Sequence, residues 1–224
     1  MSKLHALRAA LPFVCCAAMP VDAGIIVGGG FETPSLAGTG AGYCYARSAY
    51  PTTCASLGLE SVDGRFGAWQ GDLSAAVATV GSAFALNGPA ADGSQFAVLQ
   101  GFSSWLNRFT VDTAGQYLLT WSDAGRAAPT AFYGGDHSYV VKLDGVILDA
   151  HSTTSDQAFT PHSLALTLTA GAHALRFSGA VASSDQSAYI DAVAISAIPE
   201  PQTATLVLAG VALAAGATSR ADRR

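Results

Sequence analysis

The sequence has little charge: only 12% of its 224 residues are Asp, Glu, Lys or Arg. Between Gly24 and Ile198, six basic residues (Arg47, Arg65, Arg108, Arg126, Lys142, Arg176) stand against thirteen acidic ones, a formal charge of −7. A surface of that sign repels nucleic acid and anionic lipid, so neither is expected as a partner. Catalytic signatures are missing too. There is no His-Glu-x-x-His for zinc and no Gly-x-Ser-x-Gly elbow. Gly38-Thr39-Gly40-Ala41-Gly42 lacks both a following helical pattern and a phosphate-binding lysine, so it reads as a loop. His137, His151, His162 and His173 are dispersed along the chain, and each is expected as an unpaired surface histidine. The thirteen carboxylates single out no glycosidase-like pair, and the chain is not expected to be an enzyme. A long helical period is also absent before the last 27 residues.

What fills the body is short apolar alternation punctuated by Gly, Asp, Ser and Pro about every ten residues, the pattern of β-structure. Strands are expected at Ile25–Val27, Ala76–Val80, Phe96–Leu99, Leu106–Val111 and Gln116–Trp121. In the last of these Tyr117, Leu119 and Trp121 share one face. Tyr139–Leu143 and Val146–Ala150 flank Asp144-Gly145, a strong two-residue hairpin signal. Leu164, Leu166 and Leu168 lead through Ala170-Gly171 into Leu175–Phe177, which reads as a second hairpin. A last strand, Tyr189–Ser196, breaks alternation unless a bulge sits near Asp191. Nine or ten such strands without helices argue for an antiparallel sandwich. The stretch Ser35–Arg65 is poorly patterned.

Both ends carry export signals. Met1–Ala23 reads as a signal peptide: Lys3 and Arg8, an apolar stretch from Ala9 to Ala18, then Val21-Asp22-Ala23 as a small-residue cleavage site. Cys15 and Cys16 leave with it. In an oxidising compartment the remaining pair, Cys44 and Cys54, most simply forms a disulfide. The chain-entropy model gives a ring of this size about 2–3 kcal/mol. Nothing nearby supplies the other ligands of a zinc site. At the other end, Pro199-Glu200-Pro201 precedes an apolar run from Thr203 to Thr218 and then Arg220, Arg223 and Arg224. The prolines end regular structure, and the run is at the short edge of membrane-spanning length, with its arginines on the cytoplasmic side.

This tail resembles the PEP-CTERM sorting signal of Gram-negative bacteria. The resemblance implies export through the Sec translocon, recognition by an exosortase, cleavage near the Pro-Glu-Pro, and passage to the cell surface or extracellular matrix. Asp222 within the basic cluster departs from the pattern. The division that follows is a signal peptide at 1–23, a β-domain at 24–197 and a sorting signal at 198–224.

The body resembles the galactose-binding-like jelly-roll sandwiches, including carbohydrate-binding modules and DUF642-type domains. The residues that carry the likeness are Gly29-Gly30-Phe31-Glu32-Thr33-Pro34, Gln95–Gly101, Gly115-Gln116-Tyr117 with Ala124-Gly125-Arg126, Val141–Gly145 and Tyr189-Ile190-Asp191. It implies a structural calcium held by Glu32 and Asp191 with backbone carbonyls, the alternative being a solvated Glu and an Asp satisfied by amides. It also implies polysaccharide binding. Trp105 and Tyr133 are the candidate aromatic platforms and Arg126 a candidate ligand donor or a partner of a strand-end carbonyl, while Trp69 and Trp121 are expected in the core. The rival readings are a surface protein without a defined ligand and, further off, a polysaccharide hydrolase.

Overall fold

The alternating segments become strands that pair as nested arms of one long hairpin. The computed structural model describes residues 25–47, 52–59, 63–72, 74–84, 87–127, 136–181 and 185–199. The signal peptide, Tyr133, Glu200, Pro201 and the apolar tail lie outside these residues. In chain order the strands are β1 (Tyr43–Tyr45), β2 (Arg65–Phe66), β3 (Trp69–Gly71), β4 (Ala76–Thr79), β5 (Gln95–Gln100) and β6 (Ser104–Val111). Then come β7 (Gly115–Gly125), β8 (His137–Leu143), β9 (Val146–Thr153), β10 (Thr160–Leu168), β11 (Gly171–Gly179) and β12 (Ser187–Ala197). They form two six-stranded antiparallel sheets, ordered β1-β4-β5-β12-β7-β10 and β2-β3-β6-β11-β8-β9.

The last eight strands pair from the inside outward: β8 with β9, β7 with β10, β6 with β11, β5 with β12. Rolling that long hairpin so that β12 also meets β7, and β11 meets β8, closes the two sheets on each other. This is a jelly roll. Its tip is the expected Asp144-Gly145 turn, with both residues at positive φ (51° and 85°), as a two-residue hairpin connection requires.

Two local expectations fail. The Leu164–Leu168 strand and the Leu175–Phe177 strand are consecutive but do not form a hairpin, because β10 pairs with β7 in the first sheet and β11 with β6 and β8 in the second. Alternation reports that each strand has one apolar face. It does not say whether two such faces lie side by side or confront each other across a core. Ile25–Val27 is likewise not a strand. It follows β12 through bends, with the Ile25 amide donating to the Ile195 carbonyl at 2.8 Å. Further on, the Val193 amide donates to the Gly29 carbonyl at 3.0 Å, and Gly29 lies so close to the β12 backbone that a Cβ would sit 1.8 Å from the Val193 carbonyl oxygen. Three short strands, β1 to β3, come from the stretch around Ser35–Arg65 and just beyond, which shows little alternation.

Between the sheets lie Phe31, Phe66, Trp69, Trp105, Leu119, Trp121, Val141, Phe177 and Ile190 among others, each essentially without solvent contact. Full burial of such side chains stabilises by about 1.5–3 kcal/mol apiece before entropy is counted. A second cluster (Tyr45, Phe84, Phe96, Val98, Tyr189) covers the outer side of the first sheet around β5, so all six residues of β5 are buried. Cys44 and Cys54 are joined as a disulfide beneath this region. The last strand carries the expected bulge: its register with β7 shifts between Asp191 and Ala194, and Ala192 takes φ 51°. The extra residue lets Ile190, Val193 and Ile195 all face inward.

Candidate functional site

The first sheet is covered on its outer side around β4, β5 and the start of β12, but the outer face of the second sheet is open. Registers place Arg65, Gln70, Leu106, Arg176 and Lys142 in one cross-strand row over β2, β3, β6, β11 and β8. Because directly paired residues point to the same side, these side chains emerge together. Leu106, Arg176 and Lys142 of this row line an open groove of about 520 Å³ with Asp72, Phe102, Ser104, Arg108 and Ser178 among its walls. A smaller recess of about 140 Å³, bordered by Arg47, Gln70, Asp72, Arg108 and Arg176, shares four of those walls. The Arg176 guanidinium donates to the Ser104 hydroxyl at 2.7 Å and lies 3.4 Å from an Asp72 oxygen; Arg108 donates to the Gln70 side-chain oxygen at 3.2 Å. Arg47, Arg108, Lys142 and Arg176, four of the six basic residues of a negatively charged body, line these two cavities.

Phe102 stands at the groove's end, 59% exposed, the single exposed aromatic among the described residues. It is the tip of the tight connection from β5 to β6, where Gly101 (φ 60°) turns the chain and the Ser103 amide donates to the Gln100 carbonyl. A ring on a two-residue turn has no room to fold under its own sheet.

Trp105 is not a platform. It sits on β6 with no solvent exposure, and its indole N–H donates to the Val98 carbonyl at 3.1 Å. The sequence around it, Gly101-Phe102-Ser103-Ser104, was legible as a loop, but the strand begins at Ser104 and Trp105 takes its inward side. Trp69 and Trp121 are core as expected, their N–H groups donating to the Gly28 carbonyl and the Tyr139 hydroxyl. Arg126 takes the strand-end role: it donates to the Asp185 and Ala83 carbonyls, pairs with the Asp185 carboxylate at 2.6 Å and lies over the Phe84 ring. Tyr133 falls outside the described residues.

Glu32 and Asp191 meet one loop, 91–95, from two sides. Glu32 accepts the amides of Ser94 and Gln95; Asp191 accepts those of Ala91 and Asp92 on one oxygen and of Ala192 on the other. Burial, opposed by those amides and reinforced by the Asp92 carboxylate, pushes the Asp191 carboxyl up to about 7. These contacts are those of carboxylates satisfied by backbone donors, and the N–H groups occupy oxygen lone pairs that a shared cation would need.

No family model matches the chain, and no curated protein matches it. Among solved structures it is similar to a family 35 carbohydrate binding module from Clostridium thermocellum, at 15% identity and a TM-score of 0.42, over 58% of this chain and 92% of that one. It is also similar to CBM35 from Paenibacillus barcinonensis (14%, 0.41, covering 59% and 94%). The CBM22-1 xylan-binding domain of Xyn10C from the same organism gives 11%, 0.41, 59% and 87%. The ligands of those modules are theirs.

The histidines are not the scattered, unpaired surface residues expected. His173 pairs with Asp144 at 2.7 Å, and that hydrogen bond raises its pKa. His137 is buried, donates from Nε2 to the Gly101 carbonyl, and has its pKa lowered by burial. His151 on β9 and His162 on β10 face each other with ring centroids 4.4 Å apart, stacked on Tyr139 and Trp121 respectively. Asp123, 1% exposed, lies beneath them, its carboxylate accepting from the Tyr139 hydroxyl (2.8 Å) and the Gln157 amide (2.6 Å). Burial, with the Asp123 charge, raises the Tyr139 pKa and keeps the phenol a donor. The alternation of Leu164, Leu166 and Leu168 already points His162 inward. His151 is inward only because a bulge at Leu148 shifts β9 by one residue against β8.

Proposed function

We propose that this protein is an exported, non-enzymatic polysaccharide-binding protein whose ligand is an acidic glycan laid across the outer face of the second sheet. The observation that supports it is the groove itself: an exposed phenyl ring at one end and Arg108, Arg176 and Lys142 along its floor, in a body that is otherwise acidic. Sugar rings stack their C–H faces on aromatic rings, and guanidinium groups match carboxylate or sulfate geometry in a bidentate manner. A groove of several hundred Å³ has the size of a ligand site. The formed cystine suits an oxidising compartment. The tail adds the address: through its likeness to exosortase substrates, residues 198–224 deliver the domain to the envelope or the extracellular matrix.

The test is affinity electrophoresis and calorimetry of the purified protein against polyuronate, sulfated and neutral polysaccharides. Acidic glycans bind; Arg176→Ala weakens binding about tenfold or more, on the scale of a lost charged hydrogen bond, Phe102→Ala weakens it by up to about tenfold, on the scale of an aromatic stacking contact, and salt weakens it further. Binding to no glycan refutes the reading and leaves a surface protein without a ligand. Turnover of a polysaccharide overturns the non-enzymatic assignment. For the tail, Glu200→Ala retains a heavier, membrane-bound precursor; normal processing refutes exosortase sorting.

A structural calcium at Glu32 and Asp191 is a separate proposal. Its support is that Glu32 and Asp191 both bind the loop that carries Asp92, which lies against Gly30, and that among the described residues none of the three is in a salt bridge to a basic side chain. The amides found on both carboxylates weigh against it. EDTA decides: calcium binding requires a lower melting temperature that Asp191→Ala abolishes, whereas an unchanged melt leaves the amide clasp alone.

A further inference from the structure

The pair of histidines over Asp123 lies apart from the groove and from the 91–95 loop. Asp123, His151 and His162 each offer one ligand atom, and the three atoms lie within 4.8 Å of one another. Ligand atoms around a tetrahedral zinc stand roughly 3.3 Å apart, given Zn–N bonds of about 2.0–2.1 Å, so small side-chain rotations complete the set. The Nε2 atoms of both histidines are buried and make no hydrogen bond. Each nevertheless has a carboxylate oxygen close by: Asp123 is 2.9 Å from His162 Nε2, and Asp149 is 3.1 Å from His151 Nε2. The distances are those of a contact, but the N–H directions are not aligned for a bond. Leaving two ring nitrogens unsatisfied is costly, on the order of 1–3 kcal/mol each. Aromatic stacking explains where the rings lie and leaves their nitrogens without partners.

We propose that Asp123, His151 and His162 bind one divalent transition ion of the zinc class, which ties β9 to β10. Two imidazoles and one carboxylate suit Zn²⁺, with Ni²⁺ and Cu²⁺ competing, and do not suit Ca²⁺, which takes oxygen ligands. The carboxylate is already oriented: Tyr139 and Gln157 donate to it, and Trp121 donates to Tyr139. Outer hydrogen bonds of this kind fix a metal ligand and raise its affinity. Three protein ligands leave a fourth position open, on the side where the histidine side chains are 18% and 22% exposed. Asp149 or water fills it. β9 is the edge of one sheet and β10 the edge of the other, with no ladder between them. An ion there joins the edge strands of the two sheets, where no ladder does.

The experiment uses tag-free protein stripped with EDTA and desalted. Zinc is added, the protein is dialysed, and bound metal is counted by mass spectrometry; melting curves are recorded with and without zinc. One zinc per chain is retained and the melting temperature rises by several degrees, as linkage requires of a ligand specific for the folded state. Co²⁺ gives visible d–d absorption, and Cu²⁺ quenches tryptophan emission, since the Trp121 ring lies 5.2 Å from both imidazoles. His151→Gln and His162→Gln each lower zinc affinity at least about tenfold. His173→Gln, at an imidazole outside the cluster that pairs with Asp144, leaves zinc uptake unchanged, which separates this site from adventitious histidine binding. Retention of less than about a fifth of an equivalent at zinc well above micromolar, absence of the cobalt spectrum, or full zinc binding by the His151→Gln/His162→Gln double variant overturns the proposal.

Discussion

Trp105 provides the sharpest test of the fold, because it separates an aromatic that packs from one that is offered to a ligand. Its ring lies 5.7 Å from Phe31 in an edge-on arrangement, and it presses on Gly71, where a Cβ would come 3.0 Å from the indole. Its N–H is the donor to the Val98 carbonyl on the facing sheet. Truncation to alanine removes the buried surface, leaves a cavity and removes that hydrogen bond. Large aromatic-to-alanine changes cost about 3–5 kcal/mol. At about 2–4 °C per kcal/mol for a domain of this size, the melting temperature falls by roughly 10–15 °C. Phe102→Ala, three residues away, changes it by little, since an exposed ring has little burial to lose. Calorimetry or urea unfolding of the two variants side by side reads this directly. If Trp105→Ala melts within about 2 °C of the parent, a shift worth under about 1 kcal/mol, the indole is not packed between the sheets and the assignment of this face is wrong.

Two further outcomes follow from particular contacts. Gly29→Ala is expected to destabilise severely, by more than about 3 kcal/mol, because its Cβ would overlap the Val193 carbonyl, a backbone atom that cannot rotate away; a normal urea midpoint for this variant contradicts the close approach. His137 is held neutral by burial, so the unfolded chain takes up a proton near its ordinary pKa of about 6.5 while the folded chain does not. Stability is therefore independent of this group above that pH and declines as pH falls below it. His137→Gln should flatten the decline between about pH 6.5 and 5, and an identical acid limb in the variant would show that His137 does not titrate differently on folding.

How much of this was legible in the chain depends on whether the signal was local. Strand faces, the Asp144-Gly145 turn, the cystine and the need for a bulge at Asp191 all follow from period-two alternation, from the φ demanded by a turn, or from compartment chemistry. None requires knowing which strand lies next to which. Local alternation even reaches His162, two residues before the leucine face.

What it does not reach is anything set by partners distant in sequence. Trp105 is misplaced by the sequence because the loop at Gly101-Phe102-Ser103 ends two positions before it, and alternation alone does not locate that boundary. Leu164–Leu168 and Leu175–Phe177 read as neighbours until nesting sends them to opposite sheets. His151 reads as exposed if β9 pairs with β8 without interruption; one inserted residue, Leu148, turns it inward beside His162 and Asp123. The basic surface over β6, β11 and β8 likewise exists only once the register is set, since Arg108, Lys142 and Arg176 stand far apart in the sequence. Alternation therefore determined which way each side chain points relative to its own strand. Only the rolled topology decided which side chains share a surface, because strand order and register are fixed by burying all the apolar faces at once.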